Sequence, residues 1–311
     1  MVTLIKLRLT FRALQDMNFP IFAGSALRGI FGKSLRRVSC LAKQESCDGC
    51  AVRQTCPYAF LFENGQQTSG KNNEIPNPYV IEPMKLENKQ IKQNEEFSFN
   101  CLIFGKAVEK LSYIVLAWVK VGNLGFTTQR TQARLIKIEQ INEDGIVNLL
   151  YDFEQTHALQ AYADTNYSLP KSKEISKIRI TLKTPLRIHH EGHPVVPAKF
   201  TAQDFLISLV HRQENMAKYF MPDYPVEDFN ILKKYIDAVK LSEADLHWFD
   251  WSRYSSRQKK RIALGGIMGN FVLQGNHVQA YASCSRHRQP KFSTYSSKPY
   301  LSNYLLIIEL L

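Results

Sequence analysis

Four cysteines crowd a short stretch of this chain, at Cys40, Cys47, Cys50 and Cys56. Six residues separate the first pair, two the second and five the third. A Cys-x-x-Cys pair presents two thiolates to one ion, and two flanking cysteines complete a tetrahedral sulfur site. Four thiolates suit structural zinc; an iron–sulfur cluster is a weaker match, and free or partly buried thiols are the alternative. A closed four-sulfur site holds a loop together and leaves no open position for catalysis.

A second cluster runs from Trp251 to Arg261 (WSRYSSRQKKR). Arg253, Arg257, Lys259, Lys260 and Arg261 are interleaved with Tyr254, Gln258 and hydroxyl residues. Arginine grips phosphate through two parallel hydrogen bonds, and a tyrosine ring stacks on an exposed base. The ordinary alternative is a solvated basic turn, but Trp248, Trp251 and a following apolar strand anchor this one. Three histidines, His189, His190 and His193, follow an apolar stretch. Beside bound RNA, a histidine takes the 2′-hydroxyl proton or protonates the leaving oxygen. His189, His190 and Tyr254 are therefore the catalytic candidates, against the commoner outcome of a histidine-rich surface loop.

The elements that position these residues follow from periodicity. Residues 2–12 alternate as a half-buried strand. A helix is expected from Ser25 to Val38, where Gly29 and Gly32 would permit close approach of another backbone. The cysteine loop and the apolar segment Tyr58–Phe62 come next, then a polar loop over residues 63–78. Strands are expected at Tyr79–Met84 and Phe97–Phe104, a helix at Lys106–Val121, and strands at Ala133–Ile141 and Ile146–Tyr151. This strand, helix, strand, strand, helix, strand order is ferredoxin-like. After a polar stretch, a strand at Ile178–Ile188 and helices at Thr201–Phe220 and Asp228–Leu241 open a second run, followed by a strand pair around Gly265–Leu273. The fold class is α+β: two tandem ferredoxin-like (RRM-like) domains, residues 1–165 and 175–311, with a cysteine-rich metal loop inserted in the first.

Of 311 residues, 44% are hydrophobic, enough for real cores, and 40 Lys and Arg outnumber 28 Asp and Glu. The resulting net charge of +12 favours a polyanionic partner through phosphate contacts and counterion release. No secretory signal is visible, and no stretch reaches the roughly 18–20 apolar residues that span a bilayer. The expectation is a cytoplasmic protein with no membrane partner.

Three motifs in order resemble a known family. They are the run Phe22 to Gly32 (FAGSALRGIFG), the cysteines ending in Cys56 to Glu63 (CPYAFLFE), and Arg253 to Gln258 (RYSSRQ) followed by Leu264 to Gly269 (LGGIMG). Together they resemble the CRISPR-associated endoribonucleases that process precursor CRISPR RNA, in the RAMP superfamily branch with a four-cysteine motif and a distinct C-terminal domain. Gly122 to Leu135, with Arg130 and Arg134, fits that branch. The resemblance covers about residues 1–275. It implies two ferredoxin-like domains, binding to repeat RNA, and cleavage without a catalytic metal, in which the 2′-hydroxyl attacks the adjacent phosphorus. Arg28, Arg130, Arg253, Arg257, Gln258, Lys259, Lys260 and Arg261 are the expected RNA contacts, and CRISPR effector or adaptation proteins are the expected protein partners.

Residues 276–311 depart from this pattern. They hold no glycine, one acidic residue (Glu309) and six serines. The family's closing glycine-rich loop is absent, through divergence or a shifted reading frame. Tyr304–Leu311 could still form a strand, but the expectation is an atypical tail that leaves the second domain incomplete. Two alternatives to an antiviral endoribonuclease stand beside it: a non-catalytic RNA-binding subunit of a CRISPR effector complex, and a zinc-stabilised DNA-binding protein.

Overall fold

The structure is a computed structural model. It describes residues 2–20, 23–63, 75–83, 86, 89–127, 129–142, 145–155, 160–162, 166–167, 176–226, 228–255, 260–263, 265–275 and 306–310, with 2, 166–167, 253–255, 260–263 and 306–310 described through the backbone. The chain divides into two compact units, Met1–Tyr167 and Ser168–Leu311. Among the described residues no helix is long and apolar enough to cross a membrane.

In the first unit, strand β1 (Val2–Ala13) and the short β2 (Met17–Asn18) lead into helix α1 (Ala23–Ser39). The cysteine loop follows, then α2 (Pro57–Phe62), β3 (Tyr79–Glu82), β4 (Gln90–Ile91) and β5 (Glu96–Phe104). A 3-10 turn (Gly105–Lys110) runs into α3 (Leu111–Leu124), and β6 (Ala133–Ile141), β7 (Val147–Asp152) and β8 (Asn166–Tyr167) complete the unit. The main sheet runs β3-β5-β1-β6-β7, with β8 pairing the start of β1. Its first four strands stand in ferredoxin-like order, with β7 added at the edge. Every second residue of β1 from Ile5 to Phe11 is fully buried, so the expected alternation is what places this strand centrally.

The helices cover one face of the sheet. Phe31 of α1 stacks on Trp118 of α3 at 4.6 Å, and Trp118 meets Phe99 of β5 edge-on at 5.1 Å. Ser34 donates a 2.7 Å hydrogen bond to the Ala117 carbonyl, fixing the helix pair. Gly122 is a packing glycine, because any Cβ there would collide with the Ala133 carbonyl oxygen. Gly32 is another, but the group against it is the Phe62 ring, 2.8 Å from where a Cβ would sit, and not the backbone expected from sequence.

The second unit repeats the order. It comprises β9 (Lys177–Leu186), the hairpin β10 (His189–His190) and β11 (His193–Pro194), then helices α4 (Ala202–Phe220) and α5 (Phe229–Ala238). Strand β12 (Lys240–Phe249), the hairpin β13 (Ser252–Ser255) and β14 (Lys260–Ala263), β15 (Gly266–Gln274) and β16 (Leu306–Leu310) follow. The sheet runs β12-β15-β9-β16, the same arrangement as β3-β5-β1-β6.

Three expectations change here. The strand pair at Gly265–Leu273 is one strand, β15, and its main partner is β12, which the periodicity does not announce. The expected incompleteness of the second domain is also corrected: Leu306–Leu310 pairs antiparallel with Ile178–Leu182 at the closing position. The apolar run around Ile307 and Ile308 supplies what an edge strand needs, without glycine. Residues 276–305, which contain most of the atypical tail, lie outside the described residues.

Candidate functional site

One end of the second sheet gathers the residues that chemistry pointed to. Strand β9 finishes at Leu186, which pairs with Ile267 at the start of β15, and β12 finishes at Phe249 opposite Gly266. The histidine hairpin leaves β9 at this end, and the basic hairpin joins β12 to β15 at the same end. The turn of the histidine hairpin is Glu191–Gly192, both with left-handed φ of 50° and 83°. Its base is closed by the Val195 amide donating to the Ile188 carbonyl at 2.9 Å, with both side chains buried. This register sets His190 directly opposite His193 and His189 opposite Pro194.

His190 is held from below by helix α4. Thr201 caps that helix, its hydroxyl accepting from the Asp204 amide at 3.1 Å and donating to Asp204 Oδ2 at 2.7 Å. The Thr201 amide donates to the same carboxylate at 3.2 Å, completing a capping box. The other carboxylate oxygen, Oδ1, lies 2.8 Å from His190 Nδ1. Asp204 is nearly enclosed, with a side chain 10% exposed, while that of His190 is 66% exposed. The carboxylate therefore fixes one ring nitrogen and leaves Nε2 as the one available to a ligand. The Asp204 hydrogen bond, then its charge, raises the His190 pKa above the usual histidine value. A raised pKa favours the imidazolium, which donates a proton or steadies a phosphate but does not act as a base.

The basic hairpin pairs Arg253 with Ile262, Tyr254 with Arg261 and Ser255 with Lys260. Its base depends on Gly265, where a Cβ would lie 2.7 Å from Trp248 Cζ2 and Asp250 Oδ1. Trp248 Nε1 donates to Asp250 Oδ1 at 2.8 Å, so the tryptophan anchor expected from sequence is built into the end of β12. Arg257, Gln258 and Lys259 lie outside the described residues, as do the side chains of Arg253, Tyr254, Lys260 and Arg261.

The remaining predicted residues fall in the first unit. Arg28 is corrected: it is 7% exposed, with its guanidinium over the Phe62 ring at 5.2 Å. It sits on the α1 face turned toward α2, which a helical wheel alone does not assign. Arg130 is exposed, in a tight loop where the Phe126 amide bonds the Thr131 carbonyl at 2.8 Å. Arg134 is exposed on β6, its guanidinium 4.9 Å from the Phe153 ring centre.

Cys40, Cys47, Cys50 and Cys56 are half-buried and line one small hollow. Two arginines tie this loop through main-chain carbonyls. Arg36 donates to Gln44 and Glu45, and Arg53 to Cys47 at 3.0 Å and Glu63 at 2.8 Å. Burial first, and the Glu63 charge second, raise the Cys47 pKa, while Arg36 and Arg53 oppose the shift. Among the described residues no three His, Cys, Asp or Glu side chains stand close enough to hold a metal ion. The donor set suits zinc; its spacing in this structure is not a closed ligand set.

Comparison with known proteins adds family and fold. The family model described as AF_1859_N, N-terminal domain, matches residues 2–164. An uncharacterized protein of Archaeoglobus fulgidus is 27% identical over 124 residues, covering 40% of this chain and 41% of that protein, so the match spans about two-fifths of the relative. A Cas6 product complex superposes with a TM-score of 0.54 at 10% identity, over 99% of this chain and 100% of the other. A partial Cas6-RT-Cas1–Cas2 complex gives 0.54 at 14% identity, over 100% of this chain and 47% of the other.

Proposed function

We infer function from two findings: the chain belongs to the AF_1859_N family, whose N-terminal domain it matches over residues 2–164, and its fold is that of Cas6. From there we propose an endoribonuclease that cleaves precursor CRISPR RNA within its repeats. The observation that carries the reading is the shared sheet end. There an oriented, raised-pKa histidine and a hairpin rich in arginine and lysine leave adjoining strands. The hairpin would hold phosphates, and Tyr254 would stack on a base. The 2′-hydroxyl gives its proton to a base, for which His189 is the candidate, as its oxygen bonds to the adjacent phosphorus, and the bond from phosphorus to the 5′-oxygen breaks. His190 gives its Nε2 proton to that leaving oxygen, yielding a 2′,3′-cyclic phosphate and a 5′-hydroxyl. Asp204 holds the ring in place.

Incubation of the full chain with labelled repeat RNA in a chelator tests this. Cleavage is expected to persist with the metal removed and to fall about 10²–10⁴-fold in His190→Ala, with RNA affinity kept. Binding without cutting by the wild-type chain would favour the non-catalytic subunit, and preference for duplex DNA would favour the third reading. This function implies a cytoplasmic setting, and likeness to part of a chain in a Cas6-RT-Cas1–Cas2 complex supports CRISPR adaptation proteins as partners.

For the cysteine loop we propose one structural zinc, which would draw the four thiolates inward from the hollow they share. Elemental analysis should find about one zinc per chain, lost in the Cys47→Ser, Cys50→Ser double variant. Metal-free protein of unchanged stability would reject it.

A further inference from the structure

The cations of the first unit fall into two populations. Most of those on the sheet face away from the helices are paired. Lys6 meets Glu82 at 3.6 Å, Arg8 meets Glu139 at 3.9 Å, Arg12 meets Glu96 at 2.9 Å, and Lys137 meets Glu139 at 3.1 Å. Arg134, opposite Arg12 on the same face, lies over the Phe153 ring instead. Carboxylates on that face offset most of its charge, so it offers less to a phosphate chain.

The solvent side of the helical layer is the opposite. Helices α1 and α3, of 17 and 14 residues, contain no Asp or Glu. The acid nearest in sequence to α3, Glu109 in the preceding turn, is occupied by Lys110 at 3.9 Å. Lys33 and Arg37 lie on the exposed stripe of α1, and Lys120 on that of α3. Among the described residues these three have no carboxylate within salt-bridge distance. Two large apolar side chains share the surface on α3: Tyr113 is 44% exposed and Leu116 42% exposed.

Gly29 points the same way. It sits in the middle of α1, on the exposed stripe one turn before Lys33, and a Cβ there would meet nothing within 4 Å. Its φ is not left-handed, so neither packing nor backbone geometry requires a glycine. Glycine in a helix interior is nonetheless unfavourable relative to alanine. Gly32, three residues on, shows the contrast, since its missing Cβ is where the Phe62 ring sits. A bare backbone on an exposed basic stripe suits close approach by an external chain.

We propose that the outer surface of α1 and α3, built from Gly29, Lys33, Arg37, Tyr113, Leu116 and Lys120, is a second RNA-contact surface that takes a single strand without sequence preference. It rests on the reading of the protein as RNA-binding and extends it to the first unit. Lys33, Arg37 and Lys120 contact phosphates, Tyr113 offers a stacking platform with Leu116 beside it, and Gly29 lets the sugar-phosphate backbone lie close.

The test uses the full chain and fluorescein-labelled oligouridylate in a salt series, followed by fluorescence anisotropy. Removing three phosphate contacts in the Lys33→Ala, Arg37→Ala, Lys120→Ala variant should flatten the slope of log affinity against log salt by about 2. Tyr113→Ala should weaken binding about tenfold, and Gly29→Val should weaken it while leaving the helix folded by circular dichroism. Arg8→Ala with Lys137→Ala, on the paired face, is the control and should change little. An unchanged slope in the triple variant, or no binding of oligouridylate by the wild type, overturns the proposal. Competition by polyglutamate as effective as by RNA also overturns it, in favour of an acidic protein partner. Loss of repeat cleavage in His190→Ala with an intact salt slope separates the two sites; cleavage unaffected by His190→Ala sinks the catalytic assignment and leaves this surface standing.

Discussion

The two units share one strand order and build it differently. In the first, the sheet is sandwiched on an aromatic interior: Phe11 stacks on Phe97 and Phe99 at 5.7 Å, and Phe31, Trp118 and Phe99 form a continuous series. In the second, the described ring cluster of the core is smaller, with Phe271 meeting Phe200 at 5.0 Å and Phe205 at 5.1 Å. Its edge strand β12 is exposed along most of its length, with Leu241, Leu246 and Trp248 only partly buried against the core. A duplicated topology thus does not duplicate the interior. The first unit carries its cysteine loop beside a dense aromatic interior, and the second sets two hairpins on one end of its sheet, where the candidate chemistry sits.

The largest effect should come from breaking the richer interior. Trp118 is fully buried, stacked on one ring and edge-on to another. Trp118→Ala should cost about 3–5 kcal/mol, seen as a lower denaturant midpoint. Phe271→Ala should fall at the lower end of that range, because half-buried neighbours can move into the space. Equal or reversed costs would mean that the second interior is as tightly packed as the first.

Much of this fold was legible because periodicity survives where strands are regular. Strand β1 alternates without interruption over its buried part, and the ferredoxin-like order of the first unit followed from it. Strand β12 was missed for a local reason: its register shifts between Leu241 and Glu243, so Leu241 and the later pair Leu246 and Trp248 fall out of one alternating phase. The missing glycine-rich loop makes the second domain look incomplete, although pairing of the closing strand with β9 asks only for an extended apolar run. Among site residues, His190 is visible as one of a cluster, but nothing in the sequence ties Asp204 to it. The two lie fourteen positions apart in the chain, and the hairpin turn at Glu191–Gly192 brings them together. Arg28 misled because charge at a helix position says nothing of which face the neighbouring helix will cover.

The smallest expected effect sharpens the comparison at the point where scaffold and chemistry meet. The α4 cap has two tasks, closing a helix start and orienting His190, and two substitutions separate them. Thr201→Ala removes the hydroxyl that bonds both the Asp204 amide and its carboxylate, and should cost about 1 kcal/mol of stability. It keeps the carboxylate beside Nδ1, so the His190 titration midpoint should stay raised. Asp204→Asn removes the charge and should return that midpoint toward about 6.5, the ordinary histidine value. The sign follows from linkage: the folded-state pKa lies above the unfolded one. The stability this pair contributes is therefore fully present below the unfolded pKa, and it is lost as pH rises through the raised folded value. Asp204→Asn should abolish that pH-dependent part, and the alkaline limb of any RNA cleavage should move to lower pH with it. The measurement is an NMR titration of the His190 ring in wild type and both variants. A midpoint that does not move in Asp204→Asn would show that α4 merely supports the hairpin and does not set the protonation of its histidine.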